Sequence, residues 1–312
     1  MTPTNADTLF ATCWTVAGDT APDLADLRSP LSFAERAEAA AAAGFTGIGL
    51  RHEDLTVARD TYGWKGIRTI LDDTGMREFE VEGLQDWWDH GPGRRESDAA
   101  REVMLAAAAE VGVRHLKVLP DTSLPEAALA AVEASGTGAS PGGRHYRWDR
   151  DQWAQEFGTL AEQCAVAGAR LALEFLPWSN LATLEDALSF VESAGHTGGG
   201  LILDVWHTER SHAPLSQIAG LPAERILGIE LNDATAELVG SYPEDTMHRR
   251  RYCGDGDFDL VGFIRAVRRA GWQGSWGVEI LSHEHRRLPV GEAALQAADT
   301  TRAVLAAAEQ PS

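Results

Sequence analysis

The chain has 312 residues, 44% of them apolar, and a formal net charge of −20. That charge argues against nucleic acid or an anionic membrane as partner, since neutralising phosphates takes clustered Lys and Arg, and no run reaches the ~18–20 continuous apolar residues of a membrane span. Three widely spaced cysteines, Cys13, Cys164 and Cys253, fit neither a disulfide framework nor a zinc knuckle; with no basic and then apolar leader at the N-terminus, the expected location is the cytoplasm.

Short β-like runs alternate with Ala-rich amphipathic segments. LFATCWTVA (9–17) comes first, then a helix over 32–44 that starts at Ser32 with Glu35 three residues on. FTGIGLRH (45–52) and REFEVEGL (77–84) are the second and third strands, followed by a helix over 97–112 and VRHLKVLP (113–120). A helix over 149–168 leads to RLALEFLP (170–177), and one over 183–195 leads to GLILDVWH (200–207). RILGIELND (225–233) is the seventh run; a helix over 259–271, opened by Asp259, precedes SWGVEILS (275–282), and an Ala-rich C-terminal helix closes the chain. Ser, Thr and Asp at helix starts cap free amides, and Gly44, Gly112, Gly168, Gly195 and Gly271 supply left-handed stops.

Eight such units predict one (β/α)8 TIM barrel spanning 1–312 as a single domain. A doubly wound open sheet is the alternative, but no GxGxxG opens a helix after the first strand. Two loop excursions, at about 121–148 and 234–256, break the rhythm after strands. Barrel active sites lie on that face, so both are candidate lids.

The fifth to eighth strands each carry one carboxylate in an apolar context near the C-terminal end: Glu174, Asp204, Glu230 and Glu279. Burying an unpaired carboxylate is costly, and four converging on one mouth repel one another unless a cation sits among them. An oxygen-rich set suits one hard or borderline divalent ion, Mn2+ first, with Mg2+, Co2+ or Zn2+ as alternatives. Separate salt bridges to barrel arginines are the structural alternative. Arg51 and His52 end the second strand, while His115 and Lys117 share a face of the fourth. Lys117 either meets substrate hydroxyls or neutralises a site carboxylate. Trp14, Trp87, Trp88 and Trp178 fall in or after strands, where indoles stack on sugar faces or simply fill the rim.

The Glu of LALEF, the DxxH of LDVWH, the IELND strand and the segment GDGDFDLVGFIRAVRRAGWQGSWGVEI resemble the xylose isomerase-like TIM barrels. That sugar isomerase/epimerase family includes ketose 3-epimerases, hydroxypyruvate isomerase and inosose-type dehydratases. The resemblance covers almost the whole chain and is clearest from Glu174 to Ser282. It implies that Glu174, Asp204 and Glu279 are three of four metal ligands. Glu230 stands fourth, where the family usually has a histidine. Glu174 and Glu279 are the implied acid/base pair. His207 is the implied substrate contact, with a role as nitrogen ligand left open, and Arg251 stands where an arginine often reaches substrate. Lys117, His52, Trp14 and Trp178 complete the expected substrate-binding set. The expected activity is metal-dependent isomerisation or epimerisation of a sugar, keto-sugar or polyol through an enediolate. The alternative is a lyase of the same fold, a dehydratase or keto-glycoside-cleaving enzyme. A small carbohydrate is the expected partner, and homo-oligomerisation is left open.

Overall fold

Ser32 accepts a hydrogen bond from the Glu35 amide, and the Glu35 carboxylate accepts one from the Ser32 amide. This reciprocal capping box starts helix α1, Phe33–Ala42. Single caps start further helices, among them Asp149 before α4 (Arg150–Val166), Thr183 before α5 (Leu184–Ser193) and Asp259 before α9 (Leu260–Arg269). All five predicted glycine stops have positive φ.

The computed structural model describes residues 7–123 and 148–310. Its strands are β1 (Leu9–Ala11), β2 (Phe45–Arg51), β3 (Glu78–Leu84), β4 (His115–Val118), β5 (Arg170–Glu174), β6 (Gly199–Asp204), β7 (Ile226–Leu231) and β8 (Trp276–Val278). They pair in parallel, in chain order, into one closed barrel. The remaining helices are α2 (His52–Asp73), α3 (Arg94–Val111), α6 (Val205–Arg210), α7 (Leu215–Ala219), α8 (Tyr242–His248) and the closing α10 (Val290–Glu309). The fold is the expected (β/α)8 barrel. Among the described residues no helix is long and apolar enough to cross a membrane. Cys13, Cys164 and Cys253 are all buried and free.

The pleat sorts side chains by a period of two. Leu171 and Leu173 of β5 join the main core between sheet and helices, with Phe157, Phe190 and Phe263. Ala172 belongs instead to a small separate cluster with Ile202 and Leu227. Glu174 is therefore on the Ala172 side, facing into the barrel. Each fully buried Leu or Phe of the main core contributes roughly 1.5–3 kcal/mol.

Several strands are shorter than their apolar runs. The first ends at Ala11, because the Thr12 and Thr15 hydroxyls donate to the carbonyl of Val278, 3.0 and 2.6 Å away. That contact folds the chain into a short 3-10 turn at Trp14–Val16. β6 stops at Asp204 because its side chain caps α6. The segment after β2, not identified as helical from sequence, forms α2, broken at Gly63 (φ 66°). Of the excursion at about 121–148, only 121–123 and 148 lie within the described residues. The second excursion, about 234–256, folds partly into α8.

Candidate active site

The barrel brings the four strand-end carboxylates together. Glu174 and Asp204 are the last residues of β5 and β6, Glu230 pairs in register with Asp204, and Glu279 follows β8, its amide bonded to the Leu231 carbonyl at 3.0 Å. One oxygen from each of the four lies within 4.8 Å of the others. All four side chains are buried. Asp204 is also a helix cap, since its Oδ1 accepts the Trp206 amide at 2.6 Å at the start of α6.

Two buried cations and one imidazole reach this cluster. Lys117 Nζ lies 2.7 Å from Glu230, 3.2 Å from Glu174 and 3.5 Å from Glu279, and 2.8 Å from a fifth carboxylate, Glu82 of β3. Arg250 Nη1 donates to Asp204 at 2.5 Å and to Glu279 at 2.8 Å. His207 Nε2 lies 3.2 Å from Glu174. The salt-bridge alternative is thus partly present, through a lysine and one arginine. It does not balance the site: five carboxylates against two cations leave three negative charges if all are ionised.

The imbalance shows in the titration of individual groups. Burial, and next the neighbouring Glu279, push Glu230 well above the usual carboxylate range. Burial also raises Glu279 to about 8, against the pull of Lys117 and Arg250. For Glu174 burial is outweighed by Lys117 and then His207, which hold its carboxyl well below the usual value. Among the described residues, Glu230 Oε2 is buried without a hydrogen-bond partner. An orphaned oxygen, surplus negative charge and converging oxygens together fit a divalent cation, and Glu174, Asp204, Glu230 and Glu279 are the residues that could hold it.

A cavity of about 160 Å³ opens above the cluster, lined by Lys117, Glu174, His207, Arg250 and Glu279, with Trp14, Trp178, Arg51 and Thr246 around it. It is smaller than the ~300–1,000 Å³ of drug-sized sites and suits a molecule of monosaccharide size. Trp178 packs against His207, with ring centroids 5.6 Å apart, and the Arg51 guanidinium lies over Trp14 at 5.4 Å. Trp87 is instead fully buried in an aromatic cluster with Trp88 and Trp153. Thr246 and Met247 bring the second excursion to the cavity wall.

Two expected substrate contacts fall elsewhere. His52 begins α2 with its Nε2 3.3 Å from Glu53, and Arg51 beside it lines the cavity instead. Arg251 is exposed and bonded to the Asp255 carbonyl at 3.0 Å. It lines a wider cleft of about 550 Å³ with His248, Arg249 and His283, which lacks the converging carboxylates. The correction from Arg251 to Arg250 is one of alternation: Arg249 and Arg251 make extended bridges to Ser282 and Asp233, so the middle arginine turns the other way, inward. Glu80 and Glu82 are also buried, opposite His115 and Lys117 at 2.8 Å each. The alternating glutamates of REFEVEGL carried that signal.

A closed (β/α)8 barrel with an acidic cluster at the C-terminal ends of its strands defines a class of barrel with its chemistry at the mouth. The profile described as "Xylose isomerase-like TIM barrel" matches residues 37–304, and the chain belongs to that family. It is 27% identical over 256 residues to a 3-dehydroshikimate dehydratase of Pseudomonas aeruginosa, covering 82% of this chain and 37% of that protein. A second dehydratase of that name, from Pseudomonas putida, is 25% identical over 88% of this chain and 40% of its own length. The chain therefore spans about two-fifths of these relatives. Among solved structures, the IOLI protein with a bound zinc atom superposes with a TM-score of 0.76 at 17% identity, covering 98% of this chain and all of that one. An inosose isomerase of Bacillus velezensis is 25% identical over 47% of this chain and 52% of its own. These curated relatives are enzymes.

Proposed function

We propose that the chain is a divalent-cation-dependent enzyme that removes the proton beside the carbonyl of a small polyhydroxylated ketone and then expels a β-hydroxyl as water. The observation that carries this reading is the convergence of Glu174, Asp204, Glu230 and Glu279 beneath a cavity of monosaccharide size. These four would hold the ion, Mn2+ first among the hard and borderline cations. When bound, it supplies Lewis acidity that makes the α proton easier to remove.

Glu174 and Glu279 are the proposed acid/base pair. Glu174, held between Lys117 and His207, takes the α proton. Glu279, held by Arg250, gives a proton to the departing hydroxyl. His207 and Lys117 are the proposed hydrogen-bond donors to substrate oxygens, and Trp14 and Trp178 form apolar walls that exclude water. The dehydratase outcome is preferred because the dehydratase relatives match over most of this chain. The inosose isomerase match supports a second reading, in which the proton returns to carbon with no loss of water.

Incubation with 3-dehydroshikimate, inososes and ketoses in D2O with Mn2+, followed by NMR, separates the two. An unsaturated product supports the lyase. Deuterium at the α carbon without loss of water supports the isomerase. With neither, the enolising reading fails. Glu174→Gln and Glu279→Gln each lower kcat by about 10²–10⁴-fold on the substrate that turns over; a change under tenfold removes that residue from the pair.

A further inference from the structure

Lys117 stands among four carboxylates, yet an ammonium has only three N–H donors. Its contacts at 2.7 and 3.2 Å go to Glu230 and Glu174, and a longer one at 3.5 Å goes to Glu279. It therefore uses oxygens of three of the four converging residues. A divalent ion drawing on the same residues at ~2.0–2.6 Å would sit close to that ammonium, and two positive charges so near in a buried place repel strongly.

Glu82 differs from the other carboxylates around Lys117. It lies on β3, outside the converging four. It is buried, its Oε2 is 2.8 Å from Lys117 Nζ, and its Oε1 accepts the Cys13 amide at 3.3 Å. The backbone contact anchors Glu82 independently of the lysine. Lys117 already touches Glu82, and its stem of four methylenes lets small torsional changes break its contacts with the cluster while that one is kept.

We propose that Lys117 is a built-in counter-cation: its ammonium holds the converging carboxylates together until a divalent ion enters, and then releases them while keeping its contact with Glu82. Lys117 and the ion compete for one set of oxygens, and Glu82 sets the outcome by remaining the lysine's partner when the others are given up. The inference rests on the proposed divalent-ion site.

The test is a double-mutant cycle on ion affinity, with Mn2+ titrated calorimetrically into chelated protein. Glu82→Gln weakens binding about tenfold or more, the size of effect that partners behind metal ligands typically carry. Lys117→Met tightens it. In the Lys117→Met background, Glu82→Gln changes affinity less than about threefold, because no lysine remains for Glu82 to hold. Lys117→Arg keeps the charge and restores the sensitivity to Glu82→Gln. Where Lys117→Met folds only with ion present, it is prepared with Mn2+ and titrated with chelator. Unchanged affinity in Glu82→Gln overturns the proposal, as does weaker binding in Lys117→Met, which would make the lysine a fixed strut. If the wild-type chain binds no divalent ion at all, the ion site itself fails, a result distinct from a wild type that binds while Glu82→Gln is silent.

Discussion

On the β2 to β4 side of the barrel three buried or half-buried carboxylates each face a donor of their own: Asp54 faces Arg36, Glu53 faces Arg51, and Glu80 faces His115, while Glu82 shares Lys117 with the far side. On the β5 to β8 side, Glu174, Asp204, Glu230 and Glu279 hold Lys117, Arg250 and His207 in common. Matched pairs hold a scaffold together. An unmatched surplus of buried charge destabilises the chain and persists only where something else offsets it. The contrast separates scaffold from site with no reference to any motif.

The largest test of that contrast is Arg250→Met. It strands Asp204 and Glu279 with one cation fewer, and losing one partner of a buried pair costs about 3–5 kcal/mol. Thermal unfolding in chelator measures the loss, and added Mn2+ recovers part of it. No recovery would mean that the surplus side does not take an ion. Next comes Glu80→Gln on the matched side, with a loss of about 1–3 kcal/mol and Mn2+ affinity unchanged in the same titration. A fall in affinity there would erase the distinction between the two sides.

Acidification gives a smaller effect. Burial holds His115 below the ordinary imidazole value against the pull of Glu80. Arg114 Nε donates to its Nδ1 at 3.2 Å, which leaves the Nε2 proton facing Glu80. On acidification the unfolded chain takes up a proton near pH ~6.5 that the folded chain refuses, so this stability is full above that pH and is lost as pH falls toward the lowered value. The Tm is expected to drop on the order of 2–3 °C between about pH 7 and 5.5, and His115→Gln flattens the drop. A profile unchanged by that substitution would assign the acid response to another group. The smallest change is Arg251→Ala, expected within ~0.5 kcal/mol with KM unaltered. A clear rise in KM would bring Arg251 back to the substrate.

Most of the architecture was legible in sequence because its signals are local. Caps such as Ser32 with Glu35, glycine stops and apolar runs at regular spacing depend on neighbours a few residues apart. The convergence of Glu174, Asp204, Glu230 and Glu279 followed from that architecture alone. Their partners were harder to see. Arg250 reaches Asp204 across 46 positions and Lys117 reaches Glu230 across 113, so only the closed barrel brings them together. Inward Arg250 and outward Arg251 differ by the alternation of a short extended segment, which a run of three arginines conceals. Glu80 and Glu82 were visible as a period-two pattern in REFEVEGL, but their donors lie on the next strand.

Asp204 caps α6 through one oxygen and meets Arg250 through the other, and this double duty bears on how the barrel can diverge. Asparagine at 204 would keep a cap and lose the anion. Glutamate would keep the anion, but its extra methylene carries the oxygen away from the Trp206 amide. Neither conservative replacement serves both roles, so position 204 is expected to stay frozen as copies of this gene drift apart. Glu230 starts no helix and leaves one oxygen unengaged. New specificities are expected to arise first there, at the member of the four with the fewest obligations to the fold.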